Sequence, residues 1–186
     1  NEFARYFYPQ LDKEGLIIDD RANGGGNVSP MILERLSREP YRLTMRRGSA
    51  RIGTVPDAVQ VGPKVCLINK YSASDGDLFP WGFRALGLGK LIGTRTWGGI
   101  VGISGSLPYM DGTDIRVPFF TSFDPKTGNW IIENQGVDPD ILIDNDPVKE
   151  WNGEDQQLDR AIQEVMKELQ NRKPLPGVPT PRDFSK

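Results

Sequence analysis

Short apolar runs and helical patterns alternate through the first half of the chain. Residues 15–20 and 64–69 are apolar runs of strand length, and residues 91–94 form a third. A polar turn and then a helix follow each of the first two runs. The first helix is expected to begin with Ser29 as its N-cap, and the second to cover residues 75–86. This succession predicts an α/β layered domain with a largely parallel sheet.

The rest of the chain gives weaker patterns. Residues 41–61 are mixed and basic and predict a hairpin or an extended loop, and residues 102–132 predict short strands and turns. Residues 155–169 predict a strong amphipathic helix, because their large apolar side chains recur at helical spacing. We expect residues 1–170 to form the folded core and residues 171–186 to be a proline-rich tail that is extended or disordered.

Composition narrows the classes of partner. The 186 residues fit one domain, 37% of them are hydrophobic and 26% charged, and the formal net charge is −2. Because no basic block and no long apolar stretch interrupts this mixture, we expect neither a nucleic-acid nor a membrane partner. The single cysteine, Cys66, lies in an apolar run and is expected to be a buried core thiol.

The absence of histidine limits the possible chemistry. Histidine is the usual base beside a serine nucleophile, and this chain contains none. A serine enzyme made only of these residues would need another base. The acidic residues and the cysteine show no metal-ligand spacing, so we expect no metal and no cofactor.

Two turns follow predicted parallel strands, where the sites of such sheets form. In the turn of residues 72–77, Ser74 stands at the start of a helix whose free N–H groups could stabilise an oxyanion. The alternative is that Ser72 and Ser74 only cap the helix. In the other turn, the three glycines of residues 24–26 could bind phosphate, form half of an oxyanion hole, or make a tight turn without a ligand.

Glu133 lies between an apolar strand and a turn near the end of the predicted domain. A carboxylate in this place could orient a catalytic base, or it could simply be solvated on the surface. Position alone leaves both interpretations open.

Five motifs in the same order resemble those of the tricorn-type peptidases, relatives of the carboxyl-terminal processing proteases. They are residues 16–19 (Leu-Ile-Ile-Asp) with 21–26 (Arg-Ala-Asn-Gly-Gly-Gly), 69–77 (Asn-Lys-Tyr-Ser-Ala-Ser-Asp-Gly-Asp), 87–94 (Gly-Leu-Gly-Lys-Leu-Ile-Gly-Thr), 96–99 (Thr-Trp-Gly-Gly) and 133–140 (Glu-Asn-Gln-Gly-Val-Asp-Pro-Asp). The resemblance implies a ClpP/crotonase-like layered core and a serine-type peptidase.

The resemblance also bears on the general base. Carboxyl-terminal processing proteases use a lysine from a Thr-Phe-Gly-Lys turn, and the matching position here is Gly99. That position follows Ser74 by 25 residues, a spacing that selects Ser74 over Ser72. Tricorn-type enzymes use a histidine instead, so the resemblance implies that the base comes from a segment outside this chain.

Roles for individual residues follow from the resemblance. Ser74 would be the nucleophile, and the backbone N–H of Asp75 would form one half of the oxyanion hole. Gly26 would supply the other half, with Gly25 as the alternative. Glu133 would belong to the charge network that polarises the missing base.

Substrate and assembly are implied in the same way. Gly102 and Ile103 would offer a strand edge to a peptide substrate. Arg46 and Arg47 occupy the segment where tricorn-type enzymes are expected to carry an acidic residue, so we expect basic P1 side chains to be disfavoured. The resemblance further implies a cytoplasmic homo-oligomer that assembles as a ring.

Two other functions compete with the peptidase. A catalytically inactive module that binds a ligand or peptide could use the same fold, although the presence of both Ser74 and Glu133 argues against it. A crotonase-like acyl-CoA enzyme would share the general fold and an oxyanion hole made of two N–H groups. It would not explain the Ser-Asp-Gly-Asp or Gly-Val-Asp-Pro-Asp motifs.

Overall fold

The computed structural model describes residues 2–49, 51–105 and 108–180. The helices among these residues are α1 (Glu2–Phe7), α2 (Ser29–Leu36), α3 (Asp75–Ala85), α4 (Pro147–Trp151) and α5 (Gln156–Gln170). The strands are β1 (Leu16–Asp19), β2 (Arg42–Met45), β3 (Ile52–Val55), β4 (Lys64–Ile68), β5 (Gly89–Gly93), β6 (Gly102–Gly105), β7 (Arg116–Phe120) and β8 (Ile141–Leu142). The expected α/β class is confirmed.

The centre of the molecule is a four-stranded sheet in the order β1-β4-β5-β8, and all its neighbouring pairs are parallel. Strand β4 is buried over its whole length, which explains the apolar sequence that follows its first residue, Lys64. Its side chains alternate between two clusters: Cys66 and Ile68 face α2 and α3, whereas Val65 and Leu67 face α5. Helices therefore cover both faces of the sheet.

Two antiparallel hairpins lie outside this sheet. Strands β2 and β3 form a hairpin, which is one of the two alternatives expected for residues 41–61, and β6 pairs with β7 in the region of predicted short strands. The Cys66 thiol is fully buried, as expected, and burial raises its pKa well above the ordinary value.

One expectation, the N-cap of α2, needs correction. Helix α2 begins at Ser29, but Ser29 is its first residue and not its N-cap, which is Val28. The Asp75 carboxylate accepts hydrogen bonds from the N–H groups of both, so a distant side chain does the capping. The helix predicted over residues 155–169 is present as α5, and its apolar side chains Ile162 and Met166 are 45% and 56% exposed.

The described part of the predicted proline-rich tail has no regular secondary structure. Residues 171–180 form neither helix nor strand, and the remainder of the predicted tail, residues 181–186, lies outside the described residues. No helix within the described ranges has the length and apolar character needed to span a bilayer.

Candidate active site

Two turns meet at the carboxyl ends of β1 and β4. The Asn23 carbonyl, in the glycine-rich turn, accepts a hydrogen bond from the N–H of Ala73 at 2.8 Å. Gly76, in the first turn of α3, packs directly on the same carbonyl, so a side chain there would collide with it. The parallel sheet therefore brings together the two turns that the sequence singled out.

Ser74 sits immediately before α3 in a strained position. Its φ angle is +56°, a value that residues other than glycine seldom adopt. Its N–H donates to the Asp77 carboxylate at 2.8 Å, which helps to hold this conformation. The side chain is half-buried, at the junction of strand β4 and the helix. Strain of this kind is characteristic of functional turns.

Ser72 differs from Ser74 in its burial and in the hydrogen bonds of its hydroxyl. It is fully buried, and its hydroxyl donates to the Asp20 carbonyl at 2.9 Å while it accepts from the N–H of Asn69 at 3.2 Å. Through these hydrogen bonds, Ser72 links the turn after β4 to the end of β1. Ser74 is the serine of this pair that a ligand can reach.

The glycine turn packs against Ser74 at Gly25. A Cβ atom at Gly25, where φ is +121°, would stand 2.9 Å from the Ser74 Cβ, so only glycine fits without displacement. The N–H of Gly25 donates to the Asn23 side-chain oxygen at 3.1 Å. Within the part of the chain that the structure describes, the N–H groups of Gly26 and Asp75 have no acceptor.

The Asp75 carboxylate fixes the position of the glycine turn. Its Oδ2 accepts from the N–H of Val28 at 3.0 Å and of Ser29 at 3.1 Å, and the Ser29 hydroxyl donates to the Asp75 carbonyl at 3.1 Å. These contacts hold the start of α2, and with it the end of the glycine turn, against the start of α3. The backbone that carries the N–H groups of Gly26 and Asp75 is consequently constrained by the starts of both α2 and α3.

Asp77 links Ser74 to a third segment. This fully buried carboxylate accepts from the N–H of Ser74, from Gly98 at 2.7 Å and from Gly99 at 3.1 Å. Three hydrogen bonds stabilise its charge in the interior. The turn that contains Gly98 and Gly99 is thus held beside the Ser74 turn.

Glu133 is attached to the same segment and is not a freely solvated surface carboxylate. Its Oε2 accepts from the N–H of Ile100 at 2.7 Å and of Val101 at 2.9 Å. The neighbouring Asn134 donates its N–H to the Gly98 carbonyl at 2.7 Å. Glu133 therefore shapes the backbone that follows Gly99, a role that sequence position alone did not reveal.

Asp20 is a buried acidic residue next to the site that the sequence motifs did not single out. Its side chain is 6% exposed, and its Oδ2 is buried without a hydrogen-bond partner among the described residues. Its Oδ1 accepts from the Asn23 amide at 2.9 Å. Burial, reinforced by the nearby carboxylates of Asp75, Asp19 and Asp77, raises the pKa of Asp20 to about 8. Strand alternation gave a signal, because Asp20 shares the inward face of Leu16 and Ile18.

The predicted substrate strand lies in the hairpin of β6 and β7. Gly102 and Ile103 begin β6, and Ile103 is 61% exposed. Arg46 and Arg47 are exposed at the turn between β2 and β3. Over residues 2–49, 51–105 and 108–180, no three acidic or cysteine side chains are grouped so that they could hold a metal ion.

The chain is similar in sequence to tricorn proteases of two Thermoplasma species. Tricorn protease from Thermoplasma volcanium is 43% identical over 176 residues, which cover 93% of this chain and 17% of the relative. Tricorn protease from Thermoplasma acidophilum is 42% identical over 172 residues, covering 92% of this chain and 16% of the relative. This chain therefore spans about one sixth of the length of these relatives.

The structural comparison agrees with the sequence comparison. A crystal structure of the tricorn protease superimposes with a TM-score of 0.85 at 42% identity, covering 92% of this chain and 16% of the other. The model of peptidase family S41 matches residues 2–143, a range that includes both turns, the Gly99 segment and Glu133. The chain belongs to peptidase family S41.

Proposed function

We propose that this chain carries the nucleophile and the oxyanion hole of a serine-type endopeptidase that hydrolyses oligopeptides. One observation carries the proposal. The half-buried Ser74 stands on strained backbone in contact with the glycine turn, and the N–H groups of Asp75 and Gly26, which border this contact in the sequence, lack acceptors among the described residues. Family membership supports the same reaction class.

The proposed reaction is acyl transfer to water. The Ser74 Oγ gives its proton to a general base and attacks the scissile carbonyl carbon, and the resulting oxyanion accepts hydrogen bonds from Asp75 and Gly26. The C–N bond then breaks, the amine leaves with the proton from the base, and water hydrolyses the acyl-enzyme. Each oxyanion donor typically lowers the barrier by about 2.7–4 kcal/mol.

The hydrogen-bond geometry favours Gly26 over Gly25 as the second donor. The Gly25 N–H is already engaged by the Asn23 side chain, whereas the Gly26 N–H has no acceptor among the described residues. The general base in this proposal is a histidine supplied by a segment outside this chain, since the 186 residues contain no histidine. Glu133 would polarise that base.

Peptide binding would use the first residues of β6. Gly102 and Ile103 would pair with the substrate backbone by strand addition, for which the exposed Ile103 offers an apolar contact. We place the catalytic core in residues 1–170 and propose that it works without a cofactor, as a cytoplasmic homo-oligomer that forms a ring.

The exposed arginines give the proposed enzyme a P1 preference. Arg46 and Arg47 would repel basic side chains, so cleavage after Lys or Arg is expected to be disfavoured. Digestion of a peptide library by the complete protein, followed by sequencing of the products, measures this preference. Strong cleavage after Lys or Arg would contradict it.

Peptide hydrolysis by the complete protein and its variants tests the proposed function. Ser74→Ala is expected to abolish turnover while peptide binding persists. Ser37→Ala removes a half-buried hydroxyl at the end of α2, which donates to the Glu34 carbonyl, and is the control, with activity expected to be unchanged. A protein that binds peptides but never cleaves them would instead be the inactive binding module on the same fold.

A further inference from the structure

The glycine turn has little to hold its backbone in one conformation. Glycine adopts positive and negative φ angles with similar ease, and Gly25 and Gly26 have φ angles of +121° and +153°. Among the N–H groups of residues 24–27, that of Gly25 is the one with an acceptor in the described part of the chain. At its far end, the turn is held through the N–H of Val28, which donates to Asp75. The direction of the Gly26 N–H therefore depends on the contact at Gly25.

The Asn23 side chain supplies this contact. Its Oδ1 accepts from the N–H of Gly25 at 3.1 Å, and its Nδ2 donates to the Asp20 carboxyl at 2.9 Å. A backbone N–H can only donate, so the amide oxygen of Asn23 must face Gly25 and the amide nitrogen must face Asp20. The side chain of Asn23 is thus a bridge with one allowed orientation.

Asp20, at the other end of this bridge, is fixed to the central sheet. Its N–H donates to the Leu67 carbonyl at 2.9 Å. Its carbonyl accepts from the Ser72 hydroxyl at 2.9 Å and from the N–H of Asn23 at 3.2 Å. A continuous series of hydrogen bonds therefore runs from the buried strand β4 through Asp20 and Asn23 to Gly25.

The position of Asp20 is a poor one for a carboxyl group if stability alone is considered. Burial raises the pKa of Asp20 to about 8, so its surroundings disfavour the ionised form. Asp20 shares the inward face of Leu16 and Ile18, where a leucine would continue the apolar pattern. Residues that are unfavourable for stability are characteristic of sites that serve activity. The contact of Asp20 with Asn23 gives such a use for the carboxyl group.

We propose that Asn23 and Asp20 are positioning residues for the oxyanion hole. Asp20 orients the Asn23 amide, the amide holds the N–H of Gly25, and the N–H of Gly26 is thereby directed at the oxyanion. This role rests on the proposed function, because it acts on a donor of the peptidase reaction. A donor of this kind interacts most strongly with the transition state, so loss of its position lowers kcat and leaves KM nearly unchanged.

A purely structural role for the Asn23 side chain is the alternative. The backbone of Asn23 already joins the two turns, because its carbonyl accepts from the N–H of Ala73 at 2.8 Å. That contact does not involve the side chain and persists when the side chain is shortened. Removal of the amide is therefore expected to release the glycines while the two turns stay together.

Steady-state hydrolysis of a peptide by the complete protein tests the role of Asn23. Asn23→Ala is expected to lower kcat by about tenfold or more, with KM changed by less than about twofold. Urea unfolding of the variant checks that it folds. An unchanged kcat, or a rise in KM that accounts for the whole loss of activity, would contradict the positioning role.

A peptide aldehyde separates the oxyanion hole from peptide binding. The Ser74 Oγ adds reversibly to the aldehyde carbon, its proton passes to the base, and the former carbonyl oxygen becomes an oxyanion. The inhibition constant of acetyl-Leu-Leu-norleucinal is expected to rise by about tenfold or more in Asn23→Ala. The corresponding alcohol, acetyl-Leu-Leu-norleucinol, forms no oxyanion and should bind both proteins equally. Equal losses for the two compounds would show a general defect in the site and overturn the proposal.

Two variants of Asp20 test whether it acts by orienting Asn23. Asp20→Leu removes the acceptor for the Asn23 amide and is expected to lower kcat by about tenfold, without lowering the urea midpoint at pH 8. Asp20→Asn is the conservative variant, because its side-chain oxygen can accept the same hydrogen bond, and it is expected to retain at least about half of the kcat. Equal kcat values for the two variants would exclude the orienting role, also in the case that Asn23→Ala does not fold.

The double variant with Asp20→Leu and Asn23→Ala tests the order of the contacts. It is expected to match the kcat of Asn23→Ala alone within about twofold, because Asp20 acts through Asn23. Losses that multiply would show that the two residues act separately and would overturn the proposal. Wild type and Ser74→Ala decide the proposed function itself. If Ser74→Ala abolishes turnover while Asn23→Ala keeps full kcat, the positioning role fails and the peptidase assignment remains.

Discussion

The turn that carries Ser74 leaves no room for a side chain at Gly25. The two residues are in contact across the junction of the two turns, and the Gly25 backbone adopts a positive φ that favours glycine. Gly24, one residue earlier, has open space where its Cβ would stand. A substitution at Gly24 is therefore a matched control for the same substitution at Gly25.

Gly25→Ala is expected to lower the peptidase activity of the complete protein by about 100-fold. The added methyl group would displace Ser74 or the glycine turn, and loss of one oxyanion contact has an effect of this size. Gly24→Ala should change activity by no more than about twofold. Initial rates of peptide hydrolysis measure both, and equal losses in the two variants would contradict the proposed packing at Ser74.

Asp20 is expected to make folding stability depend on pH. Its pKa is raised to about 8 in the folded chain from an ordinary value of 3.8, so the folded state retains a proton that the unfolded chain loses. Stability contributed at this residue is therefore full below pH 4 and declines as the pH rises towards 8. An asparagine at this position cannot ionise, so its contribution to stability does not fall as the pH rises.

Urea unfolding of the wild type and Asp20→Asn at pH 5 and pH 8 measures this effect. The difference in the free energy of unfolding, variant minus wild type, is expected to be larger at pH 8 than at pH 5 by at least about 1 kcal/mol. Asp12→Asn changes an exposed carboxyl and serves as the control. A difference that does not vary with pH would show that Asp20 is ionised in the folded chain.

The central strands of the sheet were predictable from the sequence, because a strand that is buried on both faces has a continuous run of apolar residues. Strand β4 is the clearest example, and helix α5 followed from its own periodicity. Strand β8 has two residues and α4 has five, too few for a periodic pattern. The cap of α2 was assigned wrongly because its acceptor, Asp75, is supplied by tertiary structure.

Glu133 shows how an element can combine two roles that mutation can separate. Glu133→Gln keeps an oxygen that can accept from Ile100 and Val101, so the free energy of unfolding should fall by less than about 1 kcal/mol. If the charge also polarises the base, activity should fall at least about tenfold. Urea unfolding and hydrolysis rates measure the two effects, and full activity of the variant would exclude the charge role.

The whole site is assembled from segments far apart in the sequence. Asp77 connects the Ser74 turn with Gly98 and Gly99, while Ser72 connects it with Asp20. The motifs indicated which turns matter, since each follows a parallel strand. They did not show that Ser72 is a buried link between segments or that the Asp20 Oδ2 has no hydrogen-bond partner among the described residues, because both properties depend on how distant segments pack.

The assembled molecule would present Ser74 to a base from outside this chain. Treatment of the complete protein with a fluorophosphonate, followed by mass spectrometry of its peptides, tests whether Ser74 is the activated nucleophile. We predict one adduct, on Ser74, that is absent from Ser74→Ala and that accompanies the loss of peptidase activity. Inactivation with the adduct on another residue, or full activity with Ser74 modified, would contradict the assignment.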